Sequence, residues 1–139
     1  MRIATVLAFF LGALLLPAQQ PTAKINRVPV HPTAAESGKE MFGAYCASCH
    51  GLEGKGNGPD APALKVQATD LTQLANKNAG KYPSLEVINA IKDGTGNAHG
   101  SKDMPVWGPI LRSVSPSGNS VVQQRIANLN AYIESLQAK

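Results

Sequence analysis

Cys46 and Cys49 are the only cysteines in this 139-residue chain, and they stand three apart with His50 directly behind them. This C-x-x-C-H pentapeptide constrains the fold more than any other feature, because it is the attachment signature of haem c. Two thiols add across the two vinyl groups of the porphyrin to form thioethers. A C-x-x-C turn at the end of a helix holds the sulfurs about as far apart as those vinyls. His50 then falls under the iron as an axial donor, and the rest of the domain must wrap a large flat group. The spacing has three rivals. A thioredoxin-type dithiol sits at a strand-to-helix junction, yet no stretch of this chain alternates as a strand would. A zinc site needs a fourth ligand, and neither His31 nor His99 belongs to a second pair with zinc spacing. The third rival is a plain disulfide or two free thiols. The adjacent histidine and an export-type N-terminus favour haem.

Composition agrees with a cofactor-centred domain. Aromatic residues are 5% of the chain, too few to fill a core of this size, so a porphyrin would supply the apolar centre. Glycine (13) and proline (10) are abundant, which predicts long loops. Length, two cysteines and no apolar run of the ~18–20 residues a spanning helix needs exclude a multidomain enzyme, a disulfide scaffold and a polytopic membrane protein. Arg2, the uncharged apolar run Ile3–Leu16, then Pro17 and Ala18 read as a secretory signal. The expected division is a signal at 1–18, cut after Ala18 or kept as an anchor, a proline-rich tether at 19–34 with Pro21, Pro29 and Pro32, and a folded domain at 35–139.

Within that domain the apolar spacing predicts helices. One covers about 35–46, with Met41, Phe42 and Tyr45 on one side and Thr33 as its cap. A short one covers 70–78 with Asp70 as cap. A third covers about 84–93, with Ser84 as cap, Leu85, Ile88 and Ile91 at i, i+3 and i+6 on its apolar face, and Gly94 as the stop. The last carries Val122, Ile126, Leu129, Ile133 and Leu136 at spacings of 4, 3, 4 and 3, with Asn119 or Ser120 as cap. Residues 51–69 and 94–118 read as long loops flanking candidate ligands, and long loops in a small domain are usually functional.

The second axial position has four candidates: Met104, His99, His31 and Lys102. Met104 stands in Asp103-Met104-Pro105-Val106-Trp107-Gly108. Pro105 biases Met104 towards extended backbone, and the surrounding glycines let the loop lie close over a flat group. A thioether raises the potential and fills the iron's last site. His99 would give a bis-histidine centre of lower potential.

Together these motifs resemble the class I cytochromes c of bacterial, single-haem type, over roughly residues 35–138. Gly38 and Phe42 lie eight and four places before Cys46, as in that family's first helix. Leu129 and Tyr132 match the L-x-x-Y of its last. Gly51–Pro59 resembles the glycine-rich loop after the attachment site, Ala61-Pro62-Ala63-Leu64 its A-P-x-L, and Met104-Pro105-x-Trp107-Gly108 its ligand loop. The resemblance implies an all-α cytochrome c fold, three to five short helices wrapped around one covalent haem c with iron. It implies a tight crossing of the first and last helices at Gly38. It also implies a pocket made by Pro62, whose carbonyl would accept from His50 Nδ1–H, by Leu64 against the haem, and by Trp107 at its edge.

The expected function is one-electron transfer by an exported, non-enzymatic carrier, with iron cycling between ferric and ferrous states. Its partners would be redox proteins of a respiratory chain or a dehydrogenase. A rim of Lys39, Lys55, Lys65, Lys77, Lys81 and Lys102 would steer acidic docking surfaces. A dedicated cytochrome subunit of a larger oxidoreductase is the alternative, and an open-site haem enzyme or sensor a more distant one. The chain is basic, at net +4. It has no arginine stripe suited to nucleic acid, and membrane contact is expected only through the N-terminal segment.

Overall fold

The computed structural model describes residues 29–95 and 103–138. The expected signal, the first part of the tether, His99 and Lys102 lie outside the described residues. Among those described there is no β-strand. Six α-helical segments follow in order: α1 Gly38–Tyr45, α2 Ala47–His50, α3 Leu74–Lys77, α4 Ser84–Asp93, α5 Trp107–Ser113 and α6 Asn119–Ser135. Two single 3-10 turns, Ala61–Ala63 and Leu71–Gln73, sit between α2 and α3.

The longest helix organises the rest. Val122, Ile126, Leu129 and Ile133 of α6 are all buried, and α1, α4 and α5 pack onto that helix. The crossing of α1 and α6 depends on a missing side chain. A Cβ on Gly38 would meet the Asn128 carbonyl carbon at 2.8 Å and Tyr132 Cβ at 2.9 Å. Glycine thus lets the backbones touch, and Phe42 packs on Tyr132 with ring centroids 5.3 Å apart. Phe42, Met41, Leu111, Ile126 and Leu129 are fully enclosed, each contributing about 1.5–3 kcal/mol of apolar transfer.

Several boundaries differ from expectation for identifiable reasons. The cap of α1 is Ser37, whose side chain accepts from Glu40 N–H at 3.2 Å. Thr33 is drawn away to another bond. Ser84 is the first residue of α4 and not its cap, because its hydroxyl accepts from Asn130 Nδ2 at 2.9 Å. Leu85 is 71% exposed, since Val87 and Ile91, four apart, set the buried face. Asp70 does cap, accepting from Thr72 N–H at 2.9 Å, and Gly94 does end α4, with φ 81°. The segment Trp107–Ser113, read as loop, forms α5. It buries Trp107, Gly108 and Leu111, its helical period too short to see behind Pro105.

The described end of the proline-rich segment lies against the domain. Tyr45 Oη donates to the His31 carbonyl at 2.7 Å, and Val30 packs on the core. Asn128 Nδ2 donates to the Ala35 carbonyl at 2.9 Å. Arg125, only 5% exposed, closes this strap. Its guanidinium donates to the Thr33 carbonyl at 2.8 Å, to Thr33 Oγ1 at 3.1 Å and to Ser115 Oγ at 3.0 Å.

Candidate functional site

The candidate attachment residues occupy the joint between α1 and α2. Cys46 caps the end of α1, with its N–H donating to the Phe42 carbonyl at 2.9 Å. One turn on, His50 N–H donates to the Cys46 carbonyl at 2.9 Å. This turn keeps both thiols and the imidazole on one short piece of backbone. Cys46 and Cys49 are free and half-buried. Burial, reinforced by neighbouring Cys49, pushes the Cys46 thiol up to about 12.

Burial lowers the pKa of His50, which favours the neutral ring that a metal donor must have. Nδ1 lies 3.0 Å from the Thr69 carbonyl. A carbonyl only accepts, so Nδ1 carries the proton and the lone pair is left on Nε2.

The acceptor is Thr69 and not Pro62, which corrects the expectation drawn from the A-P-x-L motif. Two sets of loop bonds explain the exchange. Gly58 N–H donates to the Cys49 carbonyl at 3.0 Å and Asp60 N–H to that of Ser48 at 2.8 Å, which ties the Ala61–Ala63 turn beside the Ser48 part of α2. Gly56 N–H donates to the His50 carbonyl at 2.7 Å, and Leu71 N–H to that of Gly54 at 2.7 Å. These second bonds bring residues 68–70 to the histidine. Thr69 was not legible beforehand; the one clue is its place just before the cap Asp70, outside any helix.

Pro62 and Leu64 instead line a cavity of ≈ 450 Å³, together with Gly56, Asn57, Gly58, Ala61 and Gln67. Trp107 is 8% exposed and stacks on Tyr45, the residue before Cys46, at 5.3 Å between centroids. Met104 is half-buried and packs on the same apolar cluster as Cys46, Leu71, Leu74, Tyr82 and Ile88. His31 is exposed, and its carbonyl serves the strap.

The donor set suits a covalent haem. It comprises two thiols three residues apart and an imidazole whose Nδ1 is already engaged by the Thr69 carbonyl. Among the described residues no group of three or more His, Cys, Asp or Glu is arranged to hold a metal ion.

An all-helical domain, with this pentapeptide forming the joint after its first helix and the whole of its second, and a first helix crossing its last, defines a c-type haem protein. Residues 35–137 match the model of the cytochrome c family, and the chain belongs to that family, with a single-haem, class I architecture. It is 30% identical over 105 residues to cytochrome c-554(547) of Halothiobacillus neapolitanus, covering 74% of this chain and 97% of that protein. It is 34% identical over 83 residues to the cbb3-type cytochrome c oxidase subunit FixP of Azorhizobium caulinodans, covering 60% of this chain and 24% of that subunit. A FixP of Sinorhizobium medicae is 43% identical over 51 residues, or 33% of this chain and 18% of that one. No solved structure matches significantly. The protein binds haem c covalently and works by haem-based electron transfer.

Proposed function

We propose that Cys46 and Cys49 form the two thioethers, that His50 Nε2 and Met104 Sδ are the axial donors, and that the protein is an exported single-electron carrier. The observation that carries this reading is the Thr69 carbonyl on His50 Nδ1, which fixes the ring and aims Nε2 away from the loop. The bound group supplies a ferric/ferrous couple that takes up and releases one electron. The chain's residues set the conditions for that exchange. Thr69 orients the imidazole. Leu64 and the apolar cluster around Met104 exclude water, and a low dielectric disfavours the extra positive charge of the oxidised form, raising the potential. Two protein donors leave no open position for substrate, which favours a carrier over an enzyme.

The donor and acceptor are redox proteins outside the cytoplasm, reached after export directed by residues 1–18. No helix among the described residues is long and apolar enough to cross a membrane, so membrane attachment is assigned to the N-terminal segment alone. Exposed Lys39, Lys55, Lys65, Lys77 and Lys81 favour acidic docking surfaces. The FixP likeness favours a second reading, in which the protein serves as the cytochrome subunit of an oxidase. Co-purification at low salt separates the two: a free carrier elutes alone, and a subunit retains its complex.

The test of the axial pair is Met104→Ala. The weak red-edge charge-transfer band of ferric iron–thioether ligation disappears and the ferrous protein binds carbon monoxide rapidly. A band that survives the substitution overturns the assignment.

A further inference from the structure

We infer that Asp103 is a positioning residue for Met104, fastening the methionine loop to the loop that follows the cysteines. The inference rests on the axial role proposed above for Met104. Asp103 Oδ2 accepts from the backbone N–H of Lys65 at 3.0 Å, joining residues 38 positions apart.

The donor is not on a free loop tip. Leu64, with φ −76° and ψ 144°, leaves the 3-10 turn in extended geometry, and its N–H donates to the Ala61 carbonyl at 3.2 Å. That turn is bonded in its turn to α2, through Asp60 N–H to the Ser48 carbonyl and Gly58 N–H to the Cys49 carbonyl. A Cβ on Gly58 would run into the Ala47 and Ser48 carbonyls, so the loop lies directly on the helix backbone. A continuous hydrogen-bonded path therefore runs from the helix that carries His50 to the residue beside Met104.

If His50 and Met104 are to hold one iron, their separation would have to be kept fixed. The path through Lys65 and Asp103 sets that separation within the protein itself. Pro105 restrains Met104 from the other side by limiting its backbone to extended conformations. A carboxylate is a stronger acceptor than a neutral oxygen, which suits a contact exposed to competing water.

The experiment is an imidazole titration of the ferric holoprotein. Imidazole binds only after Met104 has left, so its apparent affinity scales with the fraction of open loop. Removing a hydrogen bond to a carboxylate opens the loop by about tenfold, and Asp103→Ala binds imidazole tighter by that factor. Asp103→Asn keeps an oxygen for the Lys65 N–H and returns to within about threefold of the parent. Lys65→Pro deletes the donor from the other end and reproduces the Asp103→Ala shift, because Leu64 already has the backbone that a following proline requires. Asn128→Ala, which breaks the distant bond to Ala35, lowers the melting temperature and leaves imidazole affinity unchanged. The proposal falls if Asp103→Ala and Lys65→Pro both bind imidazole as the parent does while the charge-transfer band depends on Met104. If that band survives Met104→Ala, the axial assignment itself falls and takes the proposal with it.

Discussion

Gly38 and Gly43 sit on the same short helix, and adding one methyl group to each has opposite consequences. At Gly38 the new Cβ would lie 2.8 Å from the Asn128 carbonyl carbon and 2.9 Å from Tyr132 Cβ. Both neighbours belong to the backbone or root of α6, so no flexible tip can swing away. The helices must separate, loosening the Phe42–Tyr132 contact. Overpacking of this kind costs about 1–3 kcal/mol. The helix-propensity gain of alanine over glycine, at most about 1 kcal/mol, is small at a first helical position. The net loss is about 2 kcal/mol, which lowers the melting temperature of a domain this size by about 8 °C. At Gly43 nothing lies within 4 Å of the added atom. Alanine there only restricts the unfolded chain and stabilises by about 0.5–1 kcal/mol, raising the midpoint by about 2–4 °C. Thermal unfolding of the two holoprotein variants, followed by far-ultraviolet circular dichroism, reads both shifts. Equal midpoints for Gly38→Ala and Gly43→Ala would refute the close crossing.

Arg125→Ala leaves the Thr33 carbonyl and Ser115 without their buried donor and destabilises by about 3 kcal/mol; chemical denaturation measures it, and hydrogen exchange at residues 30–35 rises in parallel. Ser37→Ala removes the cap of α1 and costs about 1 kcal/mol in the same assay. Tyr82 adds an alkaline dependence. Burial, with a smaller contribution from Glu134, holds its hydroxyl above the usual tyrosine range. The folded state therefore keeps the proton after the unfolded chain has lost it. The Tyr82 contribution is complete below about pH 10 and declines as pH rises beyond that. Urea unfolding of Tyr82→Phe between pH 9 and 11 shows a shallower decline than the parent, and an identical slope contradicts the assignment.

What could be read from the sequence was what local chemistry determines. The spacing of Val122, Ile126, Leu129 and Ile133 marks the apolar part of the buried face of α6. Asp70 and Gly94 are strong local signals at helix ends, and the C-x-x-C-H spacing carries its own geometry. What stayed hidden depends on contacts between distant segments. Thr33 looks like a good cap until Arg125 and Tyr45, far along the chain, claim its oxygen. Ser84 is claimed in the same way by Asn130. Arg125 and Asn130 stand outside the apolar stripe of α6, yet both are buried, because the strap and the Tyr82–Ser84 segment fold over them. The exchange of Pro62 for Thr69 has the same origin. A motif places a residue in the loop, but the loop's bonds to α2 decide which carbonyl reaches His50.

The central claim is a porphyrin joined to the chain by Cys46 and Cys49. The direct measurement is a pyridine haemochrome spectrum of the exported protein, taken before and after extraction with acidic organic solvent. The expected result is one haem per chain with the band positions of two saturated vinyls, the colour staying with the polypeptide through extraction and lost in the Cys46→Ala, Cys49→Ala double variant. Pigment that passes into the solvent, or a colourless parent protein made with a working haem-attachment system, would contradict it.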